Sequence, residues 1–244
     1  MNVLFPMPSR RSWILNERKK PMPKPRSLRS GKVSQTFKLY MKFTRACCLL
    51  LFTLCMSMSL HAQINTPDYR LLRYIAKTRT ETWDRFFILV SDLNNPLCLG
   101  VLALLFIGRW LLKNEHALQV ALLGTFSVIV SQLVTFTGKE LFGRLRPQLY
   151  DDTFIAVISA VNKSFPSGHT SEAFTVALAL CYSYRQWWVR VPAMGWACLI
   201  AYARMYLGVH YPSDVIGGIL VAAGSVYAVV LMMRNWNKNR EGLG

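Results

Sequence analysis

The chain has 244 residues, 52% of them hydrophobic and only 17% charged, with a mean hydropathy of +0.25. An ordinary soluble domain carries about 25% charged residues, so this sequence lacks the polar surface it would need in water. Its formal charge of +17 is concentrated: residues 1–46 hold twelve Lys and Arg against the single acid Glu17, which leaves only +6 for the rest. That layout fits an inner-membrane protein with a basic cytoplasmic end and excludes a nucleic-acid-binding globule.

Residues 1–41 are basic, rich in Pro and Ser, and lack a helical period, so a disordered extension is expected there. In 42–62, Lys42 and Arg45 precede an apolar run from Ala46 to Leu60, which suits either a signal peptide or a first transmembrane helix. Translation from Met1 and from Met41 both fit this arrangement. Residues 63–233 then form the membrane domain, and 234–244, with Arg234, Lys238 and Arg240, a basic cytoplasmic tail.

Over 67–90, Leu71, Leu72 and Ile75, then Trp83, Phe86, Phe87 and Val90, recur at helical spacing among Arg70, Arg73, Lys77, Arg79 and Arg85. The pattern predicts one helix lying on a membrane surface. Five later segments, 95–112, 117–138, 170–187, 189–207 and 214–233, are apolar over close to the roughly 20 residues a bilayer crossing takes. The expected fold is therefore all-α: a polytopic membrane bundle of five to six transmembrane helices plus an interfacial helix. Placing Arg109 and Lys113, Arg185 and Arg190, and the C-terminal tail in the cytoplasm puts 63–94, 139–169 and 208–213 outside. The six cysteines all lie in apolar stretches without CxxC or Cys/His spacing, so neither a disulfide framework nor a metal site is implied.

Several residues break the membrane's rules. Lys139, Arg144 and Arg146 cluster on the side where positive charge is disfavoured; snorkelling explains one such residue more readily than three. Arg204 follows an apolar run from Trp196 to Ala203, where a guanidinium is expensive and usually marks a site. His169 stands in a Pro-Ser-Gly-His turn opening onto a helix, whose free backbone N–H groups favour an anion. Asp214, four residues after His210, suits either a helix cap or a carboxylate orienting that histidine. Cations around a small anion, two histidines and an orienting carboxylate suit phosphoryl transfer, which depends mainly on positioning and charge stabilisation. The outer acids do not gather around either histidine, so the chemistry is read as metal-free, with no cofactor.

The segments Lys139–Pro147 (K-x6-R-P), Pro166-Ser167-Gly168-His169 (P-S-G-H) and Arg204–Asp214 (R-x5-H-x3-D), in this order and membrane setting, resemble the type 2 phosphatidic acid phosphatase superfamily of integral-membrane lipid phosphatases. The likeness covers roughly 67–233. One departure is Ala203, where the third motif usually has a serine before its arginine. The resemblance implies that His210 is the nucleophile and forms a phosphohistidine, with Asp214 fixing its tautomer. It also implies that Lys139, Arg146, Arg204, Ser167 and the Gly168 N–H hold the phosphate oxygens, and that His169 protonates the leaving oxygen. The expected partner is a phosphorylated lipid in the outer leaflet of a bacterial inner membrane, with the site facing the periplasm; nothing fixes an oligomeric state. Lipid A ranks first as substrate. Undecaprenyl pyrophosphate and phosphatidylglycerophosphate follow, along with transfer to a second lipid and non-catalytic lipid binding.

Overall fold

The computed structural model describes residues 66–241, so the expectations for 1–41 and 42–62 lie outside the described residues. Among the described residues all regular structure is helical: α1 (Pro67–Ala76), α2 (Glu81–Asp92), α3 (Asn94–Leu112), α4 (Glu115–Phe142), the short α5 (Pro147–Tyr150), α6 (Gly168–Ser183), α7 (Trp187–Tyr206) and α8 (Pro212–Glu241).

The surface helix expected over 67–90 is two helices, α1 and α2. Thr78 Oγ1 donates to the Ile75 carbonyl at 2.7 Å, and Thr80 caps α2 by accepting from the Trp83 N–H at 3.5 Å. Hydroxyls that bond the local backbone compete with helix continuation. Arg79 is drawn out of the helical path as well: its Nε donates to the Tyr206 carbonyl at 2.7 Å and its Nη1 to that of Ile155 at 2.6 Å. Beyond α2 only Leu93 intervenes before α3, and it too has helical dihedrals, so Glu81–Leu112 is effectively one rod of 32 residues.

By length and composition, Glu81–Leu112, Glu115–Tyr150 and Pro212–Trp236 are able to cross a membrane. The predicted segments 170–187 and 189–207 appear as α6, with 16 residues, and α7, which carries Arg190 and Arg204. Helix α8 continues through the expected tail as far as Glu241. Large apolar side chains such as Leu104, Trp110, Leu133 and Phe136 face outward, as lipid-exposed surfaces require.

Helix α6 is the axis of the bundle, packed against α4, α7 and α8. Its residues from Thr170 to Ala177 are all buried, and most are small. Small residues let helix backbones approach, and hydroxyls bridge them. Thus Ser171 Oγ lies 3.0 Å from both Ser131 Oγ and Thr135 Oγ1 of α4. At one end of the bundle, His116 meets Tyr184 with ring centroids 5.0 Å apart, and Arg234 Nη2 donates to Tyr182 Oη at 2.9 Å. The turns α3–α4 and α6–α7 and the last part of α8 therefore gather there, bringing the basic clusters to one side. The three motifs meet at the other.

That opposite end depends on a close crossing of α8 and α6. A methyl group placed on Gly218 would stand 2.7 Å from the Ser167 carbonyl oxygen and 3.2 Å from the Ser171 nitrogen, both fixed backbone atoms. Gly218→Ala is accordingly expected to destabilise the protein by about 1–3 kcal/mol, the range for overpacking. Gly224→Ala, where nothing lies within 4 Å, should leave the melting temperature unchanged or slightly raised. Thermal unfolding of both variants in detergent checks this; equal melting temperatures would mean that the crossing has slack.

Candidate active site

The cavity at this end is about 410 Å³ in volume, and its lining includes Lys139, Arg146, Gly168, His169, Arg204 and His210. Four stretches deliver them: the end of α4 and the turn after it, the start of α6, the end of α7, and the 207–211 loop. The last of these turns sharply at Gly208, whose φ of +79° favours glycine, and a Cβ there would meet Arg79 Nη2 at 2.6 Å and the Phe154 ring at 2.8 Å.

His210 is 1% exposed and Asp214 not at all. The imidazole Nδ1 is 3.5 Å from Asp214 Oδ2, aligned short of a full hydrogen bond, while Nε2 faces Arg146 Nη1 at 3.4 Å. A proton on Nδ1 directed at the carboxylate leaves the Nε2 lone pair on the cavity side. Burial, the largest effect, and the neighbouring Arg146 and Arg204 together bring the His210 pKa down to about 3 against the opposing pull of Asp214. The ring is therefore neutral near pH 7, as a nucleophile must be.

Asp214 is itself held on all sides. Its Oδ1 accepts from Arg144 Nη1 at 2.7 Å; its Oδ2 accepts from the Tyr211 N–H at 2.8 Å and, at very short range, from Ser164 Oγ. Arg144 in turn donates to Ser213 Oγ at 2.6 Å and to Asp68 Oδ2 at 2.7 Å, with its guanidinium 4.1 Å from the centre of the Tyr211 ring. Asp68 closes the circuit by accepting from the Ser213 N–H at 2.9 Å and from its hydroxyl at 2.6 Å. The chain Asp68–Arg144–Asp214 is a buried ion triad, of the kind whose members cannot be removed singly without a loss of about 3–5 kcal/mol.

The cations are fixed through their backs. Arg146 donates from Nε to the Asn162 carbonyl at 2.8 Å and from Nη1 to that of Val209 at 2.7 Å. Lys139 Nζ donates to the Lys163 carbonyl at 2.6 Å. Arg204 donates from Nη1 to Ser91 Oγ at 2.5 Å, and its Nε is buried without a partner. Two charged groups held by neutral carbonyls and a third by one hydroxyl leave a concentrated positive field, which an anion would complete. Residues 151–167, between α5 and α6, form the segment that covers the cavity and lines it with Ala160, Val161 and Asn162. It is tied down by Asp151, whose carboxylate accepts from Thr153 Oγ1 at 2.7 Å, from Tyr69 Oη and from the Thr153 N–H at 2.9 Å, contacts that hold its pKa at about 2.

Six of the eight residues singled out from the sequence thus share one cavity. Asp214 stands behind His210. Ser167 is arranged differently from the expectation: it is fully buried, its hydroxyl is 2.9 Å from Thr170 Oγ1, and its N–H donates to the Asp214 carbonyl at 3.0 Å. It locks the turn to α8 and is absent from the cavity wall. Ala203 is enclosed in the apolar core, and the hydroxyl that holds Arg204 comes from Ser91 of α2. Asp68, Ser91, Ser164 and Asn162 were not legible as site residues. Asp68, an acid in a run of basic residues, was the one with a visible signal.

Cations converging on a neutral, carboxylate-backed imidazole, set among apolar helices, define a membrane-embedded phosphoric ester hydrolase. Residues 120–238 match the family model described as the PAP2 superfamily. The chain is 30% identical over 162 residues to a lipid A 4'-phosphatase of Porphyromonas gingivalis, covering 62% of this chain and 68% of that protein. It is 27% identical over 163 residues to the lipid A 4'-phosphatase of Bacteroides thetaiotaomicron (63% and 71%), and 35% identical over 120 residues to the putative undecaprenyl-diphosphatase YbjG of Escherichia coli (49% and 60%). The crystal structure of Aquifex aeolicus LpxE superposes with a TM-score of 0.60 at 25% identity, covering 68% of this chain and 95% of that one. This chain belongs to the PAP2 superfamily.

The depressed His210 pKa has a consequence for stability. In the unfolded chain a histidine charges near pH 6.5, whereas in the fold it stays neutral down to about pH 3. The unfolded state therefore takes up the proton first, and stability is lost as pH falls below about 6.5, by up to about 1.4 kcal/mol per pH unit. His210→Asn, which cannot titrate, is expected to show a shallower fall between pH 6 and 4 in chemical denaturation. Identical slopes would place the titration elsewhere.

Proposed function

We propose that this protein hydrolyses a phosphomonoester or pyrophosphate on an outer-leaflet lipid, without a metal ion, through a phosphohistidine on His210, and that its substrate is a phosphate of lipid A. The observation that carries the mechanism is the paired setting of His210, with Nδ1 toward Asp214 and Nε2 toward Arg146. Binding alone needs cations and no enclosed carboxylate–imidazole pair. The site's position at the end away from the basic clusters supports a periplasmic orientation.

In the first step the Nε2 lone pair of His210 attacks phosphorus, an N–P bond forms, and the ester P–O bond breaks with its electrons on the departing oxygen. His169 supplies the proton that oxygen needs. Asp214 stabilises the charge that develops at Nδ1–H, and Lys139, Arg146, Arg204 and the Gly168 N–H receive the equatorial oxygens. In the second step water attacks phosphorus and gives its proton to His169; the N–P bond breaks, returning the electron pair to Nε2 and freeing phosphate. Lipid A is favoured because the two lipid A 4'-phosphatases match a longer part of the chain than YbjG does.

His210→Ala is expected to insert and fold yet release no phosphate, while the wild-type protein keeps its activity in EDTA. Near-normal hydrolysis by the variant, or strict dependence on added Mg²⁺, would overturn the mechanism. The substrate is identified by mass spectrometry of envelope lipids with and without the gene: lipid A species heavier by one phosphate are expected in its absence. A change confined to polyprenyl diphosphates would assign the other substrate.

A further inference from the structure

The cavity that gathers the cations also holds a group of the wrong sign for a phosphate. Glu172 lies on α6 three residues after His169, is 7% exposed, and lines the same cavity. Asn94 Nδ2 donates to its Oε2 at 3.3 Å. Asn94 is fully buried and braced from behind, since its Oδ1 accepts from Trp196 Nε1 at 3.3 Å. The carboxylate is therefore fixed in place with one long hydrogen bond. Asn95 of α3 and Gln132 of α4 line the cavity too.

Placed there, a carboxylate repels the phosphate that Lys139, Arg146 and Arg204 attract. An ionised carboxylate only accepts hydrogen bonds, and a buried one that lacks donors is destabilising. A ligand that brings its own donor next to the phosphate relieves both penalties. A polyprenyl diphosphate presents methylene and methyl groups beyond its phosphates, with nothing to donate. A phosphorylated sugar presents hydroxyl and amide N–H groups within a few bonds of the ester oxygen.

We propose that Glu172, with Asn95 and Gln132, forms a leaving-group subsite that accepts a hydrogen bond from a hydroxyl or amide N–H of a phosphorylated saccharide headgroup and so selects against isoprenoid phosphates. This rests on the phosphatase reading above and adds the chemistry by which that site tells one lipid from another. A site built to bond a donor discriminates strongly against a substrate lacking it.

The test compares phosphate release by the purified full-length protein from three substrates: a phosphorylated, acylated glucosamine disaccharide, undecaprenyl diphosphate and phosphatidylglycerophosphate. For Glu172→Ala the kcat/KM on the saccharide is expected to fall about 10–100-fold, the equivalent of one hydrogen bond to a charged group, while activity on the polyprenyl diphosphate is unchanged or rises. Glu172→Gln keeps an acceptor oxygen and should recover part of the loss. Gln132→Ala, on α4, should lower saccharide turnover selectively should Glu172→Ala fail to fold. A glycerol hydroxyl as the recognised donor would show as selective loss on phosphatidylglycerophosphate with the saccharide unaffected, which overturns the saccharide assignment. Equal losses on all three substrates, or no loss on any, would overturn the subsite while leaving the phosphatase reading intact. A wild-type protein inactive on all three would refute that reading itself.

Discussion

The carboxylate of Asp214 is the point at which three distant parts of the chain are joined. One oxygen is bound to Arg144, beyond α4; the other receives Ser164, from the covering segment, and the Tyr211 N–H of its own turn, and faces His210. In the low dielectric of a bundle interior, each of these contacts is strong and each is costly to leave unmade. The orientation of the His210 imidazole is thus inseparable from the assembly of the fold at this end. Arg144 and Asp68 extend the junction to α1, which explains why a short helix at the edge of the bundle contributes to a site formed by other elements.

Two opposite demands shape the bundle around this junction. Outward, α3, α4 and α8 present leucines and aromatics, and nothing polar is needed there. Inward, α6 is lined by Thr170, Ser171 and Thr175, whose hydroxyls bond to the Ser167 turn, across to α4 and back to the helix respectively. Hydrophobicity does not distinguish inside from outside in a lipid solvent, so close backbone approach and interhelical hydrogen bonds set the packing. The same close approach, at Gly218, holds the Ser167–His169 turn against the base of α8.

The sequence carried the long helices well because their signal is physical and local. The segment expected at 95–112 is observed at 94–112, and that at 189–207 is observed at 187–206. The candidate site was legible for a related reason: Arg204 and Lys139 violate membrane rules, and a violation is visible without knowing the fold, while His169 stands in a Pro-Ser-Gly-His turn. What was hidden depends on partners remote in sequence. Asp68 and Ser213 are 145 positions apart, and Ser91 and Arg204 are 113 apart. The break between α1 and α2 was hidden likewise, because Arg79 leaves the helix to reach the Tyr206 and Ile155 carbonyls. Ser167 illustrates the limit from the other side: motif position identified the turn, but only packing shows that its hydroxyl turns to Thr170.

The near-continuity of α2 with α3 supplies a ruler. From Leu112 back to Ser91 is 21 residues of the 32-residue rod, or about 32 Å at 1.5 Å per residue, close to the roughly 30 Å depth of a hydrocarbon core. With Leu112 at one boundary of that core, Ser91 and the Arg204 guanidinium it binds sit at the other, level with the glycerol and phosphate layer. A lipid can therefore present its headgroup to the His210 imidazole while its acyl chains stay at their ordinary depth, with no need to extract the molecule from its leaflet.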